Sequence, residues 1–254
     1  EGMRFGGSLL SPDAIDDLLE RLQEATQARA DEARKAHPGL DVGVKVALGS
    51  PASVLVEASA NAGMVVVGSR GMGGFRGLLV GSVGVQEASK AACPAVVVRK
   101  APSPTASTVV VGVDGSELSL AALDFAFDMA DRRGWRVLAV HAWEIPAYDV
   151  LAAPSGPPPI DVEELAASEE RAFAESLAGL RETHPGVAVE QVVVKGQSVR
   201  AILDASDDPA LIVMGTRGRG EFLGAVLGSV SQGVLHRAKV PVAVIGPGDE
   251  EDDT

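Results

Sequence analysis

Cysteine, positive charge and long apolar runs are all scarce in this chain, and each scarcity excludes something. Of 254 residues a single one is cysteine, Cys93, so no internal disulfide can form and a reducing compartment, the cytoplasm, is expected. Cys93 stands before Pro94 at the start of an apolar run with no histidine nearby in sequence, so it reads as a structural thiol and not a nucleophile. Lysine and arginine number 22 against 35 acidic residues, a net charge of −13, which argues against a nucleic-acid-binding face. Part of the excess is the run Asp249 to Asp253 in an acidic tail, 249–254, read as a solvated end. No apolar run approaches the ~20 residues that cross a bilayer, so no membrane partner is expected. A basic segment followed by an apolar one is also missing at the N-terminus, which therefore does not read as a secretory signal. The first residue is Glu1, not methionine, and a segment upstream of it is expected.

What is present is a globular composition, 46% hydrophobic and 22% charged, and an internal repeat. His37-Pro38-Gly39 returns as His184-Pro185-Gly186, an offset of 184 − 37 = 147. Gly49 and Gly196, Gly68 and Gly215, Gly81 and Gly228, and Pro94 and Pro241 all repeat at the same 147. A constant offset means that the copies differ by no insertion or deletion across this span. The chain reads as two domains, 1–102 and 103–248.

The second copy alternates strand and helix signals. Thr108 to Val113 is an apolar, β-branched run of the kind buried on both faces of a parallel sheet. Asp114-Gly115-Ser116 then turns the chain, with Ser116 as N-cap of a helix to about Arg133. Val137 to Val140 is a second strand, and a proline-rich loop follows, Pro154 to Pro159. Asp161 and Glu164 resemble a capping box that opens a helix ending near His184. Val187 to Val194, Leu211 to Met214 and Val240 to Ile245 complete five strands. A short helix spans Ser198 to Ala205 and another Ser229 to Ala238. Such repeated units imply right-handed crossovers and a doubly wound α/β sheet in each copy.

Mapped by the same offset, the first copy begins in the loop after its second strand. It keeps a helix from Pro12, capped by Ser11. Two central strands, about 45 residues (147 − 102), have no counterpart in the numbering, and their loss leaves backbone groups unpaired. Truncation is the expectation; donation of those strands by another segment is the alternative.

Residues 68–82 and 215–229 are near-copies rich in glycine, each placed between a strand and a helix. Ligands of such sheets bind at the carboxyl ends of the strands. Glycine admits positive φ and lets an anion reach backbone N–H groups, while Gly228-Ser229 opens a helix whose N-terminus favours negative charge. Together these features suit a polyphosphate, although any one of the glycines taken singly reads as structural. The spacing does not fit GxGxxG, and no GxxxxGK[ST] occurs, so neither a Rossmann dehydrogenase nor a P-loop hydrolase is indicated. Arg217 and Arg219 are positioned either to offset phosphate charge or to be exposed loop arginines. His141 at a strand end has no Ser or Asp beside it and reads as a packed residue. Asp207-Asp208 reads as a turn pair.

The pattern Gly-x2-Gly-x9-Gly-Ser, at Gly68, Gly71, Gly81 and Ser82 and again at Gly215, Gly218, Gly228 and Ser229, resembles the nucleotide-binding signature of the universal stress protein family. Val111 to Ser116 and Val140-His141 match the first strand and turn and the second strand end of that family. The resemblance covers the whole chain as a tandem and implies the family's fold, related to adenine nucleotide alpha hydrolases. It implies ATP as ligand, with magnesium as an option, and places Asp114 on the adenosine and Ala142, just past the second strand, at the adenine ring. Met214 and Gly215 would lie against the nucleoside, Gly218 near ribose and phosphates, and Gly228, Ser229 and Val230 around the phosphates. In the first copy only Gly68, Gly71, Gly81, Ser82 and Val83 can be assigned, so that site is expected to be damaged or empty.

Family members in tandem are associated with hypoxia, starvation or dormancy in bacteria. The resemblance further implies pairing of the last strands, Ala95 to Arg99 with Val242 to Ile245, within one chain, and a homo-oligomer. No catalytic base or metal cluster is evident, so an ATP-binding stress protein without rapid turnover is the leading reading, with slow hydrolysis left open. A cyclic-AMP binder and a nucleotide-independent interaction module are the alternatives.

Overall fold

Helix caps and β-branched runs show directly how this sequence is partitioned. The computed structural model describes residues 4–5, 8–9, 11–69, 82–144, 161–218 and 227–247. The proline-rich loop, Gly71, Gly81, Arg219 and the acidic tail lie outside the described residues.

Two units are distinguished, residues 1–50 and 51–254. In the first, β1 (Arg4–Phe5) and β2 (Ser8–Leu9) form a short antiparallel pair, and α1 spans Pro12–Ala36. Ser11 caps α1, its side chain accepting from the Ala14 N–H at 3.3 Å, with proline in the first turn. After it, residues 40–48 form no strand, although Val42, Val44 and Val46 keep an alternating, half-buried pattern.

The second unit holds α2 (Pro51–Ser59), β3 (Val65–Gly68), α3 (Ser82–Lys90) and β4 (Ala95–Val98) of the first repeat. The second repeat follows as β5 (Thr108–Gly112), α4 (Glu117–Arg133), β6 (Arg136–Trp143) and α5 (Val162–Thr183). It ends with β7 (Val189–Lys195), α6 (Ser198–Asp204), β8 (Leu211–Gly215), α7 (Ser229–Arg237) and β9 (Val242–Ile245). One seven-stranded sheet joins these strands in the order β3-β4-β9-β8-β5-β6-β7. Every neighbouring pair is parallel except β4 with β9, where Ala95 faces Val244 and Val97 faces Val242 in antiparallel register. That junction lies where the resemblance placed a contact between last strands, and it makes one sheet serve both repeats.

The period of two sorts the strand residues onto two covered faces. Val109, Val111 and Val213 pack with Leu123, Phe127, Phe173 and Leu177 from α4 and α5. Val110, Ile212 and Met214 pack with Ile202, Val234 and Leu235 from α6 and α7. α4 is capped by Ser116 and ends at Gly134, whose φ of 64° is the left-handed conformation that glycine takes at a helix C-terminus. Asp161 caps α5 by accepting from the Glu163 and Glu164 N–H groups.

One boundary corrects the sequence reading. β6 extends through Trp143, so Ala142 lies inside the strand opposite Val194 instead of just past its end. The ladder with β7 carries regular pairing past the apolar core of the strand.

Candidate functional site

β5 lies where the winding reverses: β6 and β7 follow on one side of it, β8 and β9 on the other. At the carboxyl ends of β5, β6 and β8 a cavity of about 270 Å³ opens, bounded also by α6 and the first turn of α7. Asp114, Ala142, Met214, Gly215, Gly218, Gly228, Ser229 and Val230 all line it. Gly68 and Ser82 are not among its lining residues: Gly68 ends β3 in an exposed position and Ser82 opens α3.

The turn after β5 is tightly determined. Asp114 Oδ1 accepts from the Ser116 N–H at 3.0 Å and the Ser116 hydroxyl at 2.6 Å, while Gly115 between them has φ of 81°. The Asp114 N–H donates to Ser119 Oγ, and Ser119 Oγ donates to the Ser116 carbonyl at 2.8 Å. This network fixes one carboxylate oxygen as a turn former. The other, Oδ2, lies against Gly218, where a Cβ would collide with it.

The glycines at this end of β8 serve close approach, not an unusual backbone. Positive φ is absent from both Gly215 and Gly218. A Cβ on Gly215 would stand 2.9 Å from the backbone carbon of Leu118, so this glycine lets α4 sit directly over the strand. Ser231 donates from Oγ to the Gly215 carbonyl at 2.7 Å, tying α7 to the same point of β8. Gly228 is the N-cap of α7 and its N–H donates to the Thr216 carbonyl at 2.7 Å. Having no side chain, it cannot close the helix end, and the first turn of α7 faces the cavity.

Chemically the cavity is lined by two kinds of group. Val140, Ile202 and Met214 form an apolar wall, with Gly112 behind them, where a Cβ would come within 2.7 Å of Ile202 Cδ1. Asp114, Arg217 and the α7 N-terminus bring one negative and two positive elements to the same cavity. Ser198 and Ile202 were not anticipated as site residues. They come from the short helix after β7, and their counterparts in the first repeat are Pro51 and Leu55 (198 − 147 and 202 − 147), so the repeat gave no signal at Ser198. Gly112 inside an apolar strand was a usable signal of close approach.

Fold and cavity together put the chain among doubly wound α/β proteins, with an open cavity at the switch point of the sheet. Within that class, a model of the universal stress protein family matches residues 4–99 and again 106–246. Universal stress protein Rv2005c of Mycobacterium tuberculosis is 39% identical over 219 residues, 85% of this chain and 72% of that protein. Universal stress protein Rv2623 of the same organism is 37% identical over 234 residues, 91% of this chain and 74% of that one. A crystal structure of a universal stress protein from Archaeoglobus fulgidus shares the fold, with a TM-score of 0.65 at 24% identity over 96% of this chain and 82% of the other. The chain belongs to the universal stress protein family and carries its domain twice in tandem.

Proposed function

We propose that the cavity of the second repeat binds an adenine nucleotide, ATP being the expected ligand, and that the protein acts in stress or dormancy signalling in the cytoplasm without rapid turnover. The observation that carries this reading is the convergence of Asp114, Gly218 and the α7 N-terminus on one cavity that also has apolar lining from Val140, Ile202 and Met214. A planar base suits Val140, Ile202 and Met214, a ribose suits Asp114, and phosphates suit the amide groups and dipole of α7. The cavity, about 270 Å³, is near the lower bound of small-molecule pockets, roughly 300 Å³, so it holds the nucleoside while the phosphates run outward along α7.

Among the described residues, the lining includes one carboxylate, Asp114, and no histidine, cysteine or lysine. Phosphoryl transfer needs a positioned nucleophile and spread positive charge. This lining supports holding a nucleotide more than turning it over. Magnesium accompanying the nucleotide would have Asp114 as the carboxylate that the described lining residues offer.

Mass spectrometry of small molecules released from the purified protein, followed by calorimetry with ATP and cyclic AMP, tests the reading. Co-purifying ATP supports it, preference for cyclic AMP redirects it, and no nucleotide binding at all ends it. Gly218→Glu adds bulk and negative charge beside Asp114, and a loss of ATP affinity of about 100-fold or more is expected. ATP binding that survives this change places the site elsewhere.

A further inference from the structure

Behind the proposed nucleotide cavity one buried side chain ties the ends of β5 and β6 together. His141, 5% exposed, lies in β6 one residue before Ala142. Its Nδ1 is 2.8 Å from the Val113 carbonyl oxygen, and its Nε2 is 2.9 Å from Glu169 Oε2 on α5. Phe173, one turn beyond Glu169, packs on the imidazole with ring centroids 5.6 Å apart. Val113 and Ala142 both line the cavity, and Asp114 follows Val113 directly.

Both partners of the ring are acceptors, a carbonyl and a carboxyl group. A neutral imidazole has one N–H, so it satisfies one partner and turns a lone pair on the other. The two bonds coexist only when the His141–Glu169 pair holds one proton more than a neutral ring and a carboxylate. That proton sits on the ring as imidazolium or on Glu169 as a donor to Nε2; the count is the same. From the surrounding elements, β7 presents Val193 opposite His141 and Lys195 opposite Trp143, α5 presents Glu169 and Phe173, and β5 leads to Asp114.

We propose that His141, held by Glu169, is a positioning residue for nucleotide binding, and that the proton the pair shares sets the spacing of Asp114 and Ala142. Loss of that proton sets a lone pair against an acceptor, and the bridge between α5 and the ends of β5 and β6 opens. The inference rests on the reading of the cavity as a nucleotide site.

The test measures ATP affinity by calorimetry from about pH 5.5 to 9 for the wild type, Glu169→Gln and Glu169→Ala, each with a melting curve. In Glu169→Gln a neutral His141 donates from Nδ1 to Val113 and accepts at Nε2 from the new amide, so the bridge persists without the extra proton. The titration of ATP itself is common to all three proteins and cancels in their ratios. At low pH, Glu169→Gln binds within about threefold of wild type, and as pH rises the wild type falls about tenfold relative to it. Glu169→Ala is about tenfold weaker than wild type at low pH. Superimposable profiles for wild type and Glu169→Gln overturn the inference, as does Glu169→Ala binding like wild type. Should the alanine variant fail to fold, the ratio of wild type to Glu169→Gln across pH decides alone. Wild type that binds no ATP at any pH overturns the nucleotide reading and this one with it; ATP binding indifferent to position 169 overturns this one only.

Discussion

Val213 and Val66 occupy the same place in the two repeats, 147 positions apart, and carry the same side chain. Val213 lies in β8 between β9 and β5 and is fully buried, with α4 packed over the strand. Val66 lies in β3, which pairs with β4 on one side and, among the described residues, with nothing on the other, and it is 60% exposed. Like sequences therefore meet unlike surroundings. A β-branched apolar run sets strand geometry locally, but burial comes from neighbours distant in sequence, and the counterparts of β5, α4 and β6 are not among these residues. Among the described residues the strand is present in both repeats, while the cavity is lined by the second.

An aspartate at each position gives the widest separation. Val213→Asp puts an unpaired carboxylate into a fully covered face of the sheet and is expected to cost more than about 4 kcal/mol, enough to unfold the protein. Val66→Asp meets solvent and should cost less than about 1 kcal/mol. Chemical denaturation of the two variants measures the difference. Equal losses would mean that β3 is covered in solution by something the sheet does not contain, and the comparison would fail.

The paired glycines sharpen the same contrast with a smaller change. Gly215→Ala drives a methyl group into the Leu118 backbone, and α4 must move, at about 1–3 kcal/mol. Gly68→Ala, at the exposed end of β3, should fall within about 0.5 kcal/mol of wild type or slightly above it, since alanine narrows the unfolded ensemble. Melting temperatures that fall equally for both would show that the glycines share a role other than admitting α4.

The same contrast explains what was legible beforehand. The runs at Val109, Leu211 and Val242 are apolar on both faces and could be read as buried strands, and Ser11, Ser116 and Asp161 cap their helices as their chemistry dictates. That Asp114, Gly218 and the start of α7 line one cavity was legible because a strand-to-helix order brings them to one edge of the sheet. Residues 40–48 were not legible, since their alternating valines match β7 in pattern while β7 owes its ladder to β6. The full length of β6 was hidden because His141 and Trp143 break its apolar run, although pairing continues through them. Ile202 was hidden too, because which face of a short helix closes a cavity depends on packing and not on spacing.

The smallest effect tests α4 itself, the element that covers β8 and has no counterpart over β3 among the described residues. Partial desolvation against the surface of α4 raises the Asp124 carboxyl above its usual value of 3.8 even though the residue is exposed, the Asp128 charge adds to this, and His184 opposes it. A carboxyl that holds its proton more tightly in the folded state adds stability below pH 3.8 and loses it as pH rises through the folded value. At neutral pH the ionised group therefore opposes folding. Asp124→Asn removes that penalty while keeping the size of the side chain. Because the residue is exposed, solvent screening keeps the gain below about 0.5 kcal/mol, visible as a slight rise in melting temperature at pH 7 that vanishes as pH falls toward 3.8. A melting temperature that drops at pH 7 would mean that the Asp124 charge supports α4 through His184, and that this helix is held over β8 by electrostatics as well as by Leu123, Ala126 and Phe127.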